Sequence, residues 1–354
     1  MTQPPDQRTD ARSQTVPTDE QARVEAAAAR TGAGIAALRD HPALAPVLRN
    51  LGLLVVLALL CVVGTSTSPN FLTVDNFRNI LVSSSVIGVV TVGMTFVIIG
   101  GGIDLSVGAL VALSSVWAST VASQSHGAAV MILCAVLVGT GAGIVNGVLI
   151  AYGRLVPFIA TLAMMVSARG LAAKMADNKT QIVTVQQIND IALKEYAGIP
   201  LLAIIFGAVV LAGWLVLNRT TFGRRTFALG GSSEATRLAG ININVHTVLL
   251  YALSGACCGI AAVMLLARTT TGSSTHGELY ELDAIAAVII GGTLLTGGRG
   301  TLVGSILGVF VFTTITNIFI LNNLATSVQN ITKGVIIVAA VLVQTRATSR
   351  HVST

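Results

Sequence analysis

The sequence predicts an all-α, polytopic membrane protein, and three observations carry that prediction. Charged residues are 10% of the 354-residue chain, against about 25% in ordinary soluble domains. Hydrophobic residues are 53% and the mean hydropathy is +0.81, which leaves too little polar surface to coat a soluble protein. Apolar stretches of spanning length, about 20 residues each, recur along nearly the whole chain.

Taken in order, the first 46 residues stand apart. The opening stretch MTQPPDQRTDARSQTVPTDEQ is polar and Pro-containing and reads as disordered, and the alanine-rich stretch after it reads as a short surface helix. The first apolar run begins only near Pro46, so a secretory signal peptide is not expected and the tail stays in the compartment of synthesis. Ten spans then follow, at about 47–64, 80–100, 105–123, 128–151, 156–175, 199–217, 246–267, 282–296, 300–321 and 328–344, with the 282–296 segment short. The membrane-spanning body is thus 47–345, and 346–354 is a second polar tail.

Basic residues test that count. With the N-terminus inside, 14 Lys and Arg residues fall in cytoplasmic segments and four (Arg78, Lys179, Lys194, Arg268) outside, with Arg169, Lys174 and Lys333 within spans. The positive-inside rule therefore places both termini in the cytoplasm, with loops 176–198 and 268–281 outside. The net charge of +6 reflects orientation rather than nucleic-acid binding.

Cys61, Cys134, Cys257 and Cys258 all sit in apolar runs without ligand spacing, and the five histidines are scattered, so neither a disulfide nor a metal is expected. His246 stands at a helix entrance. Glycines recur four apart at Gly143/Gly147, Gly255/Gly259 and Gly304/Gly308, a pattern that lets membrane helices approach closely. The stretch GTGAGIVNG, 139–147, lies mid-span without a preceding strand, and no GxxxxGK[ST] occurs. If ATP drives this protein, another subunit must hydrolyse it.

Two glycine-rich stretches break the apolar pattern. In GGGIDLSVG, 100–108, Gly100 to Gly102 end one helix, and Asp104 is expected to cap the next with Ser106 reinforcing the turn. A carboxylate at membrane depth is costly, so Asp104 should lie at an interface, pair, or face water. Two readings stay open, a capped tight hairpin and a lining of the solute path. In IIGGTLLTGGRGTLVG, 289–304, Thr293, Thr296 and Gly297–Gly300 interrupt the next pattern, and Arg299 falls on the same membrane face as Asp104, within pairing reach. VIIGG occurs at both breaks, 97–101 and 288–292, as coincidence or as similar breaker chemistry. Gly101, Asp104, Ser106, Asn146, Thr293 and Asn317 are the hairpin and path candidates, and Thr161 and Ser254 are further polar positions within spans. On the outer side Arg169, Glu281, Asp283 and Lys333, with Glu278 nearby, are expected to form an ion-paired or hydrogen-bonded cluster, architectural rather than catalytic.

The longest polar interruption, 218–245, holds SSEATRLAG. Ser232 or Ser233 is a natural N-cap, Glu234 lies in the first turn, and Gly240 stands where a helix C-cap would, so a short exposed helix is expected at 233–239.

At this point the stretches GGIDLSVGALVALSS, ALGGSSEATRLAGIN, YELDAIAAVIIGGTLLTGGRGTLVGSILG and ITKGVIIVAAVLVQ together resemble the ribose-type ABC sugar permease family, from about residue 50 to 345. The resemblance implies the type II importer-like arrangement of about ten helices, with no ATPase site of its own. It implies a cytoplasmic ATPase subunit that binds the ATP, an extracytoplasmic sugar-binding protein and a second permease copy or paralogue, all within membrane lipid. It also implies that Glu234, Ala235, Arg237 and Gly240 couple to the ATPase. Thr236 departs from the family's second alanine, at what should be an exposed site. A pentose, hexose or polyol is the implied solute. With aromatics at 5%, a tight sugar pocket in this chain is not expected. An ion-gradient-driven secondary transporter is the alternative, since such proteins also use broken helices and midspan carboxylates.

Overall fold

The computed structural model describes residues 45–349, and from Arg49 onward they belong to one compact unit. The N-terminal tail with its expected surface helix, and residues 350–354, lie outside the described residues. The helices are α1 (Ala45–Thr67), α2 (Val74–Ile99), α3 (Val107–Ala118), α4 (Val121–Gln124), α5 (Ala128–Ala151), α6 (Pro157–Met175), α7 (Gln186–Leu193), α8 (Leu201–Arg219), α9 (Thr221–Gly231), α10 (Ser233–Leu238), α11 (Ile243–Thr269), α12 (Tyr280–Ile290), α13 (Leu302–Leu321) and α14 (Thr326–Ser349). Local chemistry sets many of the starts. Thr73 and Thr301 accept the third backbone N–H of α2 and α13, and Pro157 opens α6 with its φ already suited to a helix.

The all-helical polytopic fold expected from composition is the one observed, and its helix count needs refinement. Seven described helices are long and apolar enough to cross a bilayer, with a shorter apolar run at Thr326–Leu342. Two of the ten expected spans are half-length. The segment 105–123 holds the 12-residue α3 and, after a turn, the four-residue α4, and 282–296 holds the 11-residue α12. At 1.5 Å per residue α3 and α12 are about 18 and 16 Å long, roughly half of a hydrocarbon core of about 30 Å. Hydropathy cannot separate a half-helix plus an apolar loop from a full span.

Glycines set the centre. α2 is the most buried of the spanning helices, and α5 packs along α11. A Cβ on Gly139 would strike Gly255 and Gly259, and one on Gly143 or Gly147 would strike the α11 backbone at Tyr251 or Val248. The third glycine pair serves a different contact, Gly304 and Gly308 lying against Gly291 and Ala287 of α12. With so little lateral hydrophobic drive inside lipid, such backbone approach supplies the packing.

The segment 268–281, expected as a plain exterior loop, does more than that. Its β4 (Thr271–Gly272) pairs antiparallel with β1 (Gln181–Ile182), tying it to 176–198. Beyond β4 the chain runs back along α3. Gly272 lies against Ser119 and Gly277 against Gly108, positions about 16 Å apart along a helix. Irregular backbone at that depth is tolerable because it is enclosed by protein. A second small hairpin pairs β2 (Glu195–Tyr196) with β3 (Ile199–Pro200).

Candidate functional site

The two VIIGG copies turn out to be one device used twice. α2 ends at Ile99 and α12 at Ile290. Gly101 and Gly292 follow in the left-handed region, φ +84° and +78°. Gly101 N donates to Ile98 O and Gly102 N to Val97 O, at 2.9 Å each; Gly292 N donates to Ile289 O at 2.8 Å and Thr293 N to Val288 O at 3.1 Å. Both are Schellman caps, which close a helix and satisfy its last carbonyls.

After the first cap the chain is held by side chains. Asp104 and Ser106 are fully buried. Asp104 is not the N-cap of the next helix, which begins at Val107 with Ser106 in the cap position. Instead Asp104 Oδ1 accepts from Ser106 N at 3.0 Å and Ser106 Oγ at 2.6 Å, an Asx turn, while Oδ2 accepts from Ser254 Oγ of α11 at 2.9 Å. Asn146 of α5 donates to Ser106 Oγ at 2.9 Å. Tyr251 donates to Ile103 O at 3.3 Å, and Thr161 of α6 lies 3.5 Å from the same carbonyl. The polar positions at 146, 161 and 254, scattered in sequence, thus converge on one break. Asn317 does not join them: its amide pairs doubly with Asn76 at 2.7 and 3.1 Å. Arg299 does not pair with Asp104 either, because it is exposed while the carboxylate is enclosed among serines.

After the second cap the chain is held mainly by backbone. Leu294 N donates to Arg299 O at 3.0 Å and Gly297 N to Leu294 O at 3.0 Å. Gly297 and Gly298 have φ of +84° and +73°, and Thr293 is fully buried beneath Gly300.

The two breaks touch each other and the end of α9. Gly298 N donates to Ile99 O at 2.8 Å. A Cβ on Gly297 would lie 2.8 Å from Gly101 Cα and 3.0 Å from Gly230 Cα, and one on Gly230 would meet Ile99 O and come 2.5 Å from Gly298 N. Three chain segments therefore meet without side chains.

α9 leads directly into the expected short helix. Thr220 caps α9 by accepting from Gly223 N, so 218–245 is mostly helical rather than an open loop. Ser232 caps α10, accepting from Ala235 N at 3.2 Å, and Glu234 stands in its first turn. The helix covers 233–238 and closes with a third Schellman cap: Gly240, φ +78°, donates to Arg237 O, and Ile241 N to Thr236 O. Glu234 and Arg237 pair with each other at 2.7 Å, both well exposed. Thr236, expected at an exposed site, is 3% exposed, with its hydroxyl on Ser232 O. Leu238, which the sequence reading passed over, is 75% exposed; an apolar residue just before the glycine cap was the available signal.

The four outer-side charged residues divide their hydrogen bonds among different partners, while Glu281 stays within electrostatic reach of Arg169 and Asp283. Lys333 pairs with Asp283 at 3.0 Å in a mostly enclosed bridge. Arg169 donates to the carbonyls of Ser274 and His276 at 2.7 and 3.2 Å, which anchors the segment running along α3. Glu281 is buried, and its Oε2 has no hydrogen-bond partner among the described residues. No group of three or more His, Cys, Asp and Glu able to hold a metal occurs among the described residues.

Comparison with known proteins adds the family. The family described as branched-chain amino acid transport system / permease component matches residues 76–341. The ribose import permease protein RbsC of Escherichia coli is 39% identical over 298 residues, covering 83% of this chain and 92% of the relative. The L-arabinose ABC transporter permease protein AraH of Azospirillum brasilense is 35% identical over 312 residues, 88% and 91% of the two chains. The galactose/methyl galactoside import permease protein MglC of Escherichia coli is 33% identical over 313 residues, 82% and 92%. No solved structure matches. The chain belongs to this permease family, among its ribose-type ABC sugar permeases.

Proposed function

We propose that this chain forms the translocation path of an ATP-binding-cassette importer for a pentose, hexose or polyol in the inner membrane, with both termini cytoplasmic. A separate ATPase subunit drives it, an extracytoplasmic binding protein delivers the sugar, and a second permease copy or paralogue completes the pore. The observation that carries the reading is the continuity from α10 through α9 to the two helix breaks at Gly230. An exposed helix capped at both ends is a rigid handle for a partner. Its neighbour α9 ends against the two points where the spanning helices are interrupted. Glu234, Ala235, Arg237 and Leu238 are the surface the ATPase would grip, with Gly240 permitting the sharp exit turn.

The test is uptake in vesicles holding this chain with its partner subunits. Ribose, arabinose and galactose uptake should require ATP and the binding protein. Gly240→Val forces a β-branched residue into the left-handed region, at about 1–2 kcal/mol. It should insert normally and lose most ATP-driven uptake. Uptake by the chain alone on a proton or sodium gradient would sink the reading, as would parental transport by both Gly240→Val and Glu234→Lys.

A further inference from the structure

A concavity that none of these contacts uses lies at the end of the bundle opposite 220–242, away from both breaks. It encloses about 380 Å³ between α1, α2, α13 and the β2–β3 hairpin, within the range of about 300–1,000 Å³ typical of small-molecule sites. Leu57, Cys61, Phe71, Leu81 and Phe310 line it. Leu81 lies seven residues into α2, and Phe310 eleven residues from the end of α13, so the walls reach about 10–16 Å inward at 1.5 Å per residue. That is about the depth of one hydrocarbon leaflet, half of roughly 30 Å. At the mouth Val74, Phe77 and Ile199 are exposed, so the cavity opens outward from the bundle rather than into it.

One polar feature stands at this opening. Arg78, which lines the cavity, faces Glu195 of the hairpin at 3.2 Å, with 40% and 39% of the two side chains accessible. A single cation beside a single anion, above an apolar slot one leaflet deep, complements an amphiphile with both charges in its headgroup. Arg78 has guanidinium N–H groups to spare for a phosphate, and Glu195 has a second carboxylate oxygen for a primary ammonium. Basic pockets between membrane helices recognise lipid headgroups in this way. Below the Arg78 opening Thr314 is the one hydroxyl among the lining residues, so the slot offers water few polar partners.

We infer that this cavity is a phospholipid site: one acyl chain fills the slot, and the Arg78–Glu195 pair reads a zwitterionic, primary-amine headgroup of the phosphatidylethanolamine kind. The lipid would stop α1 from closing onto α2 and hold the hairpin against the bundle.

The full chain, extracted in mild detergent and mixed in turn with phosphatidylethanolamine, phosphatidylcholine and phosphatidylglycerol of matched acyl chains, is examined by native mass spectrometry. One phosphatidylethanolamine per chain should be retained, about fivefold or more over the other two, the discrimination expected from one interfacial charge contact. Cys61→Trp fills the slot and should abolish retention of all three. Glu195→Gln, at the exposed pair, should leave retention intact and move the preference to phosphatidylglycerol; Arg78→Gln should erase the preference. These two variants keep the test decisive if Cys61→Trp fails to express. Equal retention of the three lipids by the parent chain would overturn the inference. So would indifference to both charge variants, or a Cys61→Trp protein that keeps its lipid and loses only self-association.

Discussion

The two copies of VIIGG end their helices with the same cap and then part company. After Gly101 the chain is fixed by its own Asp104 and Ser106 and by side chains drawn from two other helices, Asn146 and Ser254. After Gly292 it is fixed mostly by its own backbone and by glycines in the left-handed region. A break secured by side-chain hydrogen bonds can be weakened one bond at a time. A break secured by backbone approach admits no added atom. The difference predicts a graded response to substitution at one break and an abrupt one at the other.

The abrupt response is the larger. Gly298→Val places a branched side chain at φ +73° and a Cβ 2.8 Å from Gly231 Cα. Left-handed strain alone costs about 1–2 kcal/mol, and backbone on the other side cannot yield. The expected outcome is a chain destabilised by about 3 kcal/mol or more, seen as loss of folded protein in size-exclusion chromatography after extraction. A well-folded Gly298→Val protein would break the comparison.

At the other break, substitutions at Asp104 should rank by the acceptors they keep. Asp104→Leu leaves Ser106 N, Ser106 Oγ and Ser254 Oγ without their acceptor, and hydrogen bonds to charged groups are worth about 1.5–3 kcal/mol each. Asp104→Asn retains an oxygen for the Asx turn with Ser106 and should cost about half as much. Thermal unfolding in detergent should order them parent, Asn, Leu. Equal loss for Asn and Leu would mean that charge, not hydrogen bonding, holds the turn.

What could be read in advance divides along the same line. The caps were legible because they are local: Ser232, Glu234 and Gly240 lie within nine positions, and both VIIGG copies carry their glycines in sequence. The convergence of Asn146, Thr161 and Ser254 was not, since the bonds of Asn146 and Ser254 span 40 and 150 positions. Each of these residues alone is indistinguishable from a packing residue. The segment 282–296 already reads as short in the sequence, but the half-length of α3, and of α12 within that segment, escaped because the loops that complete them are apolar enough to extend the run. α9 was missed for the opposite reason: TFGRRTFALGG combines threonine and glycine, poor helix formers, and is held by its Thr220 cap and by packing. Arg169 and Lys333 drew attention as charges within spans, but only the fold separates their partners, carbonyls for one and a carboxylate for the other.

The central claim is that motion of the 220–242 segment enters the bundle where Gly230 meets both breaks. Gly230 and Gly231 are adjacent glycines at the end of α9 with opposite surroundings. A Cβ on Gly230 would meet Ile99 O and Gly298 N, whereas one on Gly231 finds nothing within 4 Å. The most direct measurement compares Gly230→Ala with Gly231→Ala in vesicles of the assembled transporter, reading complex assembly, ATP hydrolysis and sugar uptake together. Gly231→Ala should match the parent in all three. Gly230→Ala should lower the yield of folded protein, and in the fraction that assembles ATP hydrolysis should persist while uptake per complex falls by about tenfold or more, a separation of about 1.4 kcal/mol. Equal uptake by the two variants would contradict the account.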